Sequence, residues 1–155
     1  MTDRNPLILL VSGPNLDTLG KRQPEIYGTL TLKDYEDLVR EKAAELSIDV
    51  ICFQSNSEGE ISDFLRDNAD RADGVIINPA ALSHYSHGLA GRLKSLSCPV
   101  VEVHITNLYK REEWRQKSVT ASSCDGVIMG LGKHGYHAAL MYLIEKMRES
   151  GKLKR

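Results

Sequence analysis

The sequence has no excess of charge of either sign. Its 20 Lys and Arg stand against 21 Asp and Glu, a formal net charge of -1, which removes the bulk electrostatic case for nucleic acid or an anionic membrane as partner. Long apolar runs are missing as well. The longest, such as Leu7 to Val11 and Gly74 to Ile77, fall far short of the roughly 20 residues that a bilayer span requires, and the N-terminus carries no signal-peptide apolar stretch. A cytoplasmic location, no membrane and a small-molecule partner are the corresponding expectations. Cysteine is scarce. Cys52, Cys98 and Cys124 are odd in number, far apart, and set in or beside apolar runs, so they read as reduced core thiols and not as a disulfide framework.

Several motifs are absent. Without a Gly-x-Gly-x-x-Gly turn or a Walker loop there is no signal for a dinucleotide or a nucleoside triphosphate. His84 with His87, and His134 with His137, are each three apart, but neither pair has a carboxylate or thiol at zinc-ligand spacing, so no metal is expected. No Gly-x-Ser-x-Gly elbow presents a nucleophilic serine.

What is present is a regular alternation. Five short apolar runs, Leu7 to Val11, Val50 to Phe53, Gly74 to Ile77, Val100 to Val103 and Gly126 to Met129, suit strands covered on both faces in a parallel sheet. Between them, helical spacing runs over Leu32 to Leu46, Ile61 to Asn68, Gly88 to Ser95 and His137 to Met147. Thr31 is placed to cap the first of these, and the last is read as following Gly135 and ending in an exposed basic tail, Lys152 to Arg155. Strand alternating with helix implies right-handed crossovers. The expected architecture is therefore α/β, a flavodoxin-like three-layer sandwich with a five-stranded parallel sheet, as one domain over residues 1–155. One connection is out of proportion: residues 13–30, with Gly13, Pro14, Gly20, Pro24 and Gly28, far exceed the usual βα loop of about 2–6 residues. This segment reads as an active-site lid.

An α/β fold binds its ligand at the carboxyl ends of the strands. Immediately after the apolar runs stand Asn15, Gln54 and Asn56, Asn78, and the stretch Glu102-Val103-His104-Ile105-Thr106-Asn107. Singly, the asparagines suit turns and the histidine suits the core; turn chemistry alone does not explain amides and an imidazole on one rim. The lid adds Arg22 and Tyr27. A phenol is a poor base near neutrality, but a guanidinium held beside it favours the phenolate, so the two can act as a unit. Arg111 and Arg115, four apart, read as sharing one face of a short helix with Trp114 packed inward. The surface reading is a solvated charge cluster; the functional one is an arginine that binds substrate oxygens or supports the lid.

These residues, taken together, resemble the type II 3-dehydroquinate dehydratases over nearly the whole chain. The resemblance rests on Gly-Pro-Asn-Leu at 13–16 with Leu19-Gly20, Arg22 and Pro24-Glu25-Ile26-Tyr27-Gly28; on Phe53-Gln54-Ser55-Asn56 with Glu58-Gly59-Glu60; on Ile76-Ile77-Asn78-Pro79-Ala80-Ala81 with His84 and Ser86; and on Glu102-Val103-His104-Ile105 through Arg111-Glu112-Glu113, Arg115 and Gly130-Leu131-Gly132. It implies that Tyr27 takes the proton alpha to the ketone of 3-dehydroquinate, with Arg22 stabilising the tyrosinate. His104 is implied as the acid at the departing hydroxyl, oriented by Glu102, and Asn15 as the enolate stabiliser. Asn78 with the amides of Ile105 and Thr106 would hold the carboxylate, and His84 and Arg115 the ring hydroxyls. It further implies no cofactor, and trimers packed into a dodecamer. The chain departs from the usual family pattern at Ser12, Asp17, Gln23 and Ser57, where Asn, Asn, Glu and His are usual. It departs most at Gly91, where an aspartate normally reaches a substrate hydroxyl in a neighbouring subunit. Gly91 and Arg92 prompt one other enzyme reading, a related lyase on a modified cyclic hydroxy acid. A non-catalytic flavodoxin-like binding module is the reading from another class.

Overall fold

The computed structural model describes residues 4–154. Each of the five apolar runs forms a strand: β1 (Leu7–Ser12), β2 (Asp49–Gln54), β3 (Gly74–Asn78), β4 (Val100–His104) and β5 (Gly126–Met129). All pairings are parallel, in the order β2-β1-β3-β4-β5, the flavodoxin-like order. Parallel neighbours need crossovers. Three of the four are supplied by α2 (Leu32–Ala44), α3 (Glu58–Asn68) and α4 (His87–Lys94) and the fourth, from β4 to β5, by a chain of short 3-10 turns, while α5 (Lys133–Glu149) follows the last strand. A four-residue helix, α1 (Pro24–Tyr27), lies inside the long first connection.

Successive strand side chains point to opposite faces, and this sorts the core into two layers. Ile8, Leu10, Ile76, Val101 and Val103 meet Val39 and Ala43 of α2 and Leu140 and Leu143 of α5. Leu7, Leu9, Val11, Val75 and Ile77 meet Ile61 and Leu65 of α3 and Leu89 and Leu93 of α4. The sheet is thus covered on both sides, which is why its central strands read as continuous apolar runs.

Helix ends are set by caps. Thr31 and Asp34 form a reciprocal capping box at the start of α2, the Thr31 hydroxyl accepting from Asp34 N at 3.2 Å and the Asp34 carboxylate from Thr31 N at 2.8 Å. Ser57 and Ser86 cap α3 and α4 by a single bond each, their hydroxyls accepting from Glu60 N and Leu89 N, so these helices begin earlier than their apolar spacing suggests. The last helix departs furthest from expectation. It starts at Lys133, not after Gly135, and Gly135 lies within its first turn, where a Cβ would come within 3.4 Å of Ile128 and Val103. The glycine marks close packing of helix on sheet, and the helix start is Gly132.

The cysteines are free and half-buried. Burial pushes the Cys52 thiol up to about 12, with Glu36 adding to the shift, Cys98 up to about 11, and Cys124 up to about 12, with the Glu102 carboxylate adding to the shift. All three stay protonated and inert at neutral pH. Among the described residues no helix is long and apolar enough to cross a membrane.

At the opposite end of the sheet from the strand termini that carry the site, Asp73 ties both ends of the chain together. Its buried carboxylate accepts from Leu7 N at 2.9 Å, Arg4 at 2.8 Å and Lys152 at 2.8 Å. Lys152 is therefore paired and not part of a free basic tail; Arg155 lies outside the described residues. Burial by itself would raise the Asp73 carboxyl, but donation from Arg4, Lys152 and the Leu7 amide holds it below the ordinary carboxylate range. A depressed folded value means that the stabilisation is complete above the unfolded carboxylate range, near pH ~4. It is lost as pH falls through the folded value. In thermal unfolding across pH, Asp73→Asn should melt below wild type at neutral pH and converge with it in acid. A constant gap at all pH would show that the carboxylate charge is not what stabilises.

Candidate active site

Residues two apart on a strand share a face, so Glu102 and His104 of β4 project together. Glu102 is fully buried and His104 nearly so. The His104 Nε2 lies 2.8 Å from Glu102 Oε2. A carboxylate only accepts, so Nε2 carries the hydrogen and Nδ1 is the nitrogen left for chemistry.

His84 ends the 3-10 turn Ala80–His84 that follows β3. Its Nδ1 lies 2.8 Å from the Lys117 carbonyl, which again only accepts, so Nε2 is the unprotonated nitrogen. Burial, above all, lowers the His84 pKa, which keeps the ring neutral near pH 7 and its Nε2 an acceptor. The two imidazoles are near-parallel, with centroids 6.5 Å apart. Trp114 meets His84 edge-on at 5.1 Å, and the Arg115 guanidinium lies 4.1 Å from the Trp114 ring centre. Trp114 is 53% exposed, so it does not pack inward. Nor do Arg111 and Arg115 share a helix. The chain forms one 3-10 turn at Leu108–Lys110, becomes extended at Arg111, and turns again at Glu113–Gln116, yet both guanidiniums still reach one cavity.

The long segment 13–30, expected to act as a lid, is built on two anchors. Leu16 and Leu19 are buried in the core layer under α2 and α5, and α1 then delivers Tyr27, with Pro24 in its first turn. Arg111 Nη1 donates to the Tyr27 hydroxyl at 2.9 Å. Arg111 and Arg22 flank the ring at 5.1 Å and 5.6 Å from its centre. The direct partner of the phenol oxygen is thus Arg111, and Arg22 stands beside the ring.

Three non-glycine residues on this rim hold positive φ: Asn15 at 70°, Gln23 at 40° and Ala80 at 52°, conformations that cost of order 1–3 kcal/mol each and cluster at functional sites. Two of them, Asn15 and Ala80, are held by bonds from their backbone amides to asparagine side chains. Asn15 N donates to Asn56 Oδ1 at 2.9 Å, and Ala80 N to Asn78 Oδ1 at 3.1 Å. Asn78 Nδ2 in turn donates to Tyr136 of α5 at 3.2 Å. At Gly13 a Cβ would lie 2.5 Å from the Pro79 carbonyl oxygen, so only glycine lets the start of the lid run against the end of β3.

These groups border one cavity of about 80 Å³, space for a small solute only. Asn15, Arg22 and Tyr27 come from the lid, Asn78 and His84 from the end of β3, and His104, Ile105, Thr106, Arg111 and Arg115 from β4 and beyond. Of the residues given a catalytic or binding role, Glu102 alone does not line it and stands behind His104, and the rim residues Gln54, Asn56 and Asn107 also lie outside the lining. A family model, described as class II dehydroquinase, matches residues 6–144. The chain belongs to the class II dehydroquinases. Among curated relatives, a 3-dehydroquinate dehydratase of Bacillus mycoides is 46% identical over 143 residues, covering 92% of this chain and 98% of the relative. Two solved type II dehydroquinases superpose closely. That of Propionibacterium acnes is 42% identical with a TM-score of 0.86, covering 92% of this chain and 98% of its own. That of Butyrivibrio crossotus is 40% identical with a TM-score of 0.87, covering 90% and 97%.

For a class II dehydroquinase, the departure at Gly91 is sterically free: a Cβ built there meets nothing within 4 Å. The glycine is not demanded by packing, and the position is open toward whatever lies outside this chain. Sequence reasoning missed Ser118 and Thr120, whose hydroxyls contact both oxygens of Glu102. Their spacing, two apart like Glu102 and His104, was a faint signal with no strand or motif around it.

Proposed function

We propose that this dehydroquinase removes water from 3-dehydroquinate to give 3-dehydroshikimate. The observation that carries the reading is the meeting, in one small cavity, of a phenol held by a guanidinium and an imidazole held by a buried carboxylate. Loss of water from a β-hydroxy ketone needs one base, one acid and a site for enolate charge; no redox step or nucleotide enters.

Tyr27, as phenolate, takes the proton alpha to the ketone. A positive charge beside the phenol oxygen favours that anion, and Arg111 supplies it by a direct hydrogen bond with Arg22 alongside. The electrons of the broken C–H bond move onto the ketone oxygen, where Asn15 stabilises the enolate. They return to form the C=C bond as the C–O bond breaks, and His104 delivers its proton to the departing hydroxyl, so that water leaves. Glu102 fixes the ring through Nε2 and stabilises the imidazolium. Asn78 and the amides of Ile105 and Thr106 hold the carboxylate. His84, with its bare Nε2, accepts from a ring hydroxyl, and Arg115 donates to another. Lid closure around the substrate excludes water from the enolate step.

The test is direct. Purified protein is added to 3-dehydroquinate and the conjugated enone of the product is followed by ultraviolet absorbance; no rise at any pH would overturn the reading. We also propose that residues 1–155 act as one unit in the cytoplasm, assembled as trimers packed into a dodecamer. Light scattering should return about twelve times the chain mass of 17.3 kDa; a stable monomer would contradict the assembly.

A further inference from the structure

One short strap, residues 117–120, touches one histidine of the site, His84, and the carboxylate that holds the other, Glu102. The Lys117 carbonyl accepts from His84 Nδ1. Just beyond it, the Ser118 hydroxyl lies 3.3 Å from Glu102 Oε2, and the Thr120 hydroxyl donates to Glu102 Oε1. The strap is itself fixed. Val119 N donates to Ser83 O at 2.7 Å, next to His84, and Ser118 Oγ accepts from Ala121 N at 3.0 Å. Thr120 is fully buried.

Burying a carboxylate is costly unless hydrogen bonds satisfy it. Glu102, fully buried, has three donors: Thr120 on Oε1, and Ser118 and His104 Nε2 on Oε2. Counting protons ranks them. Thr120 has one hydroxyl hydrogen and it is committed to Oε1. The 3.2 Å contact between the two hydroxyls must then be donated by Ser118, whose single hydrogen is shared between Thr120 and Glu102. Thr120 is the firm clamp and Ser118 the weaker one. With Oε1 held by Thr120 and Oε2 contacted by Ser118, the carboxylate is restrained at both oxygens, and Oε2 meets His104 Nε2.

We propose that Thr120 and Ser118 are positioning residues for the reaction. They lock the Glu102 carboxylate so that it orients His104, leaving Nδ1 turned to the departing hydroxyl. The same strap fixes the opposite arrangement at His84, with Nδ1 tied back and Nε2 presented. One segment thereby assigns a proton donor and a proton acceptor to two rings that stack on each other. This inference rests on the reading of His104 as the acid.

A purely structural role for the hydroxyls would lower thermal stability and leave the folded enzyme's kcat alone. The experiment is therefore a kcat and KM comparison on 3-dehydroquinate for full-length wild type, Thr120→Val, Thr120→Ser and Ser118→Ala. Removing a partner that orients an active group typically costs about 10–100-fold. That loss is expected in kcat for Thr120→Val with KM nearly unchanged, a smaller loss is expected for Ser118→Ala, and Thr120→Ser should recover most of the activity. Wild-type kcat in folded Thr120→Val overturns the proposal, as does a loss that Thr120→Ser does not recover. Should Thr120→Val fail to fold, Ser118→Ala decides by the same measure, and its retention of full kcat overturns it. An inactive wild type would instead strike at the dehydratase reading.

Discussion

Tyr27→Phe is expected to lower kcat on 3-dehydroquinate by about 10³-fold or more, within the range attributed to a positioned acid or base, while ligand affinity changes little. The phenylalanine ring retains the place of Tyr27 between Arg111 and Arg22, so the lid keeps its packing and the cavity its shape. What disappears is the phenol oxygen to which Arg111 donates. Steady-state kinetics paired with calorimetric binding of a product analogue separates the two effects. A fully active Tyr27→Phe would mean that the base lies elsewhere, and a loss confined to affinity would mean that Tyr27 is a binding group.

His104→Gln should cost about 10²–10⁴-fold in kcat. Glutamine is chosen because its amide can still donate to Glu102, so the fully buried carboxylate keeps a third donor beside Thr120 and Ser118, whose loss would itself destabilise the fold. The side chain remains a donor to Glu102 but has no proton to give to a departing hydroxyl. Unchanged melting with collapsed kcat is the expected pair of results. Melting that collapses too would place His104 in the fold and not in the chemistry.

The sheet was legible because its strands are buried on both faces, so each run of Leu, Ile and Val had no polar interruption to confuse the period. Helix ends were less so. Ser57 and Ser86 precede segments whose apolar spacing starts a turn later, and Gly135 resembled a breaker although its role is to let α5 approach Ile128 and Val103. That strand-end residues meet at one cavity follows from position alone, since the fold dictates which end of the sheet is open. The pairing of partners through tertiary structure does not. The contact of Arg111 with Tyr27 spans 84 positions, and near spacing in the lid had drawn attention to Arg22 instead. Trp114 looked like core because it is large and apolar, yet it stands on the surface as a support between His84 and Arg115. Ser118 and Thr120 lie in an irregular strap, where spacing gives no face to read.

The proposed acid and the proposed base belong to parts of the chain with different resistance to opening. His104 ends a strand in the middle of the sheet, whereas Tyr27 rides on a short helix tethered through Leu16, Leu19 and its contact with Arg111. Segments with few buried contacts open at lower free energy than core strands. Mild heat or denaturant is therefore expected to part the proposed base from the proposed acid while the sheet is still whole, leaving a folded body that holds His104 in place but not Tyr27. Inactivation of this kind reverses as soon as Leu16 and Leu19 reseat, without any strand having to re-form.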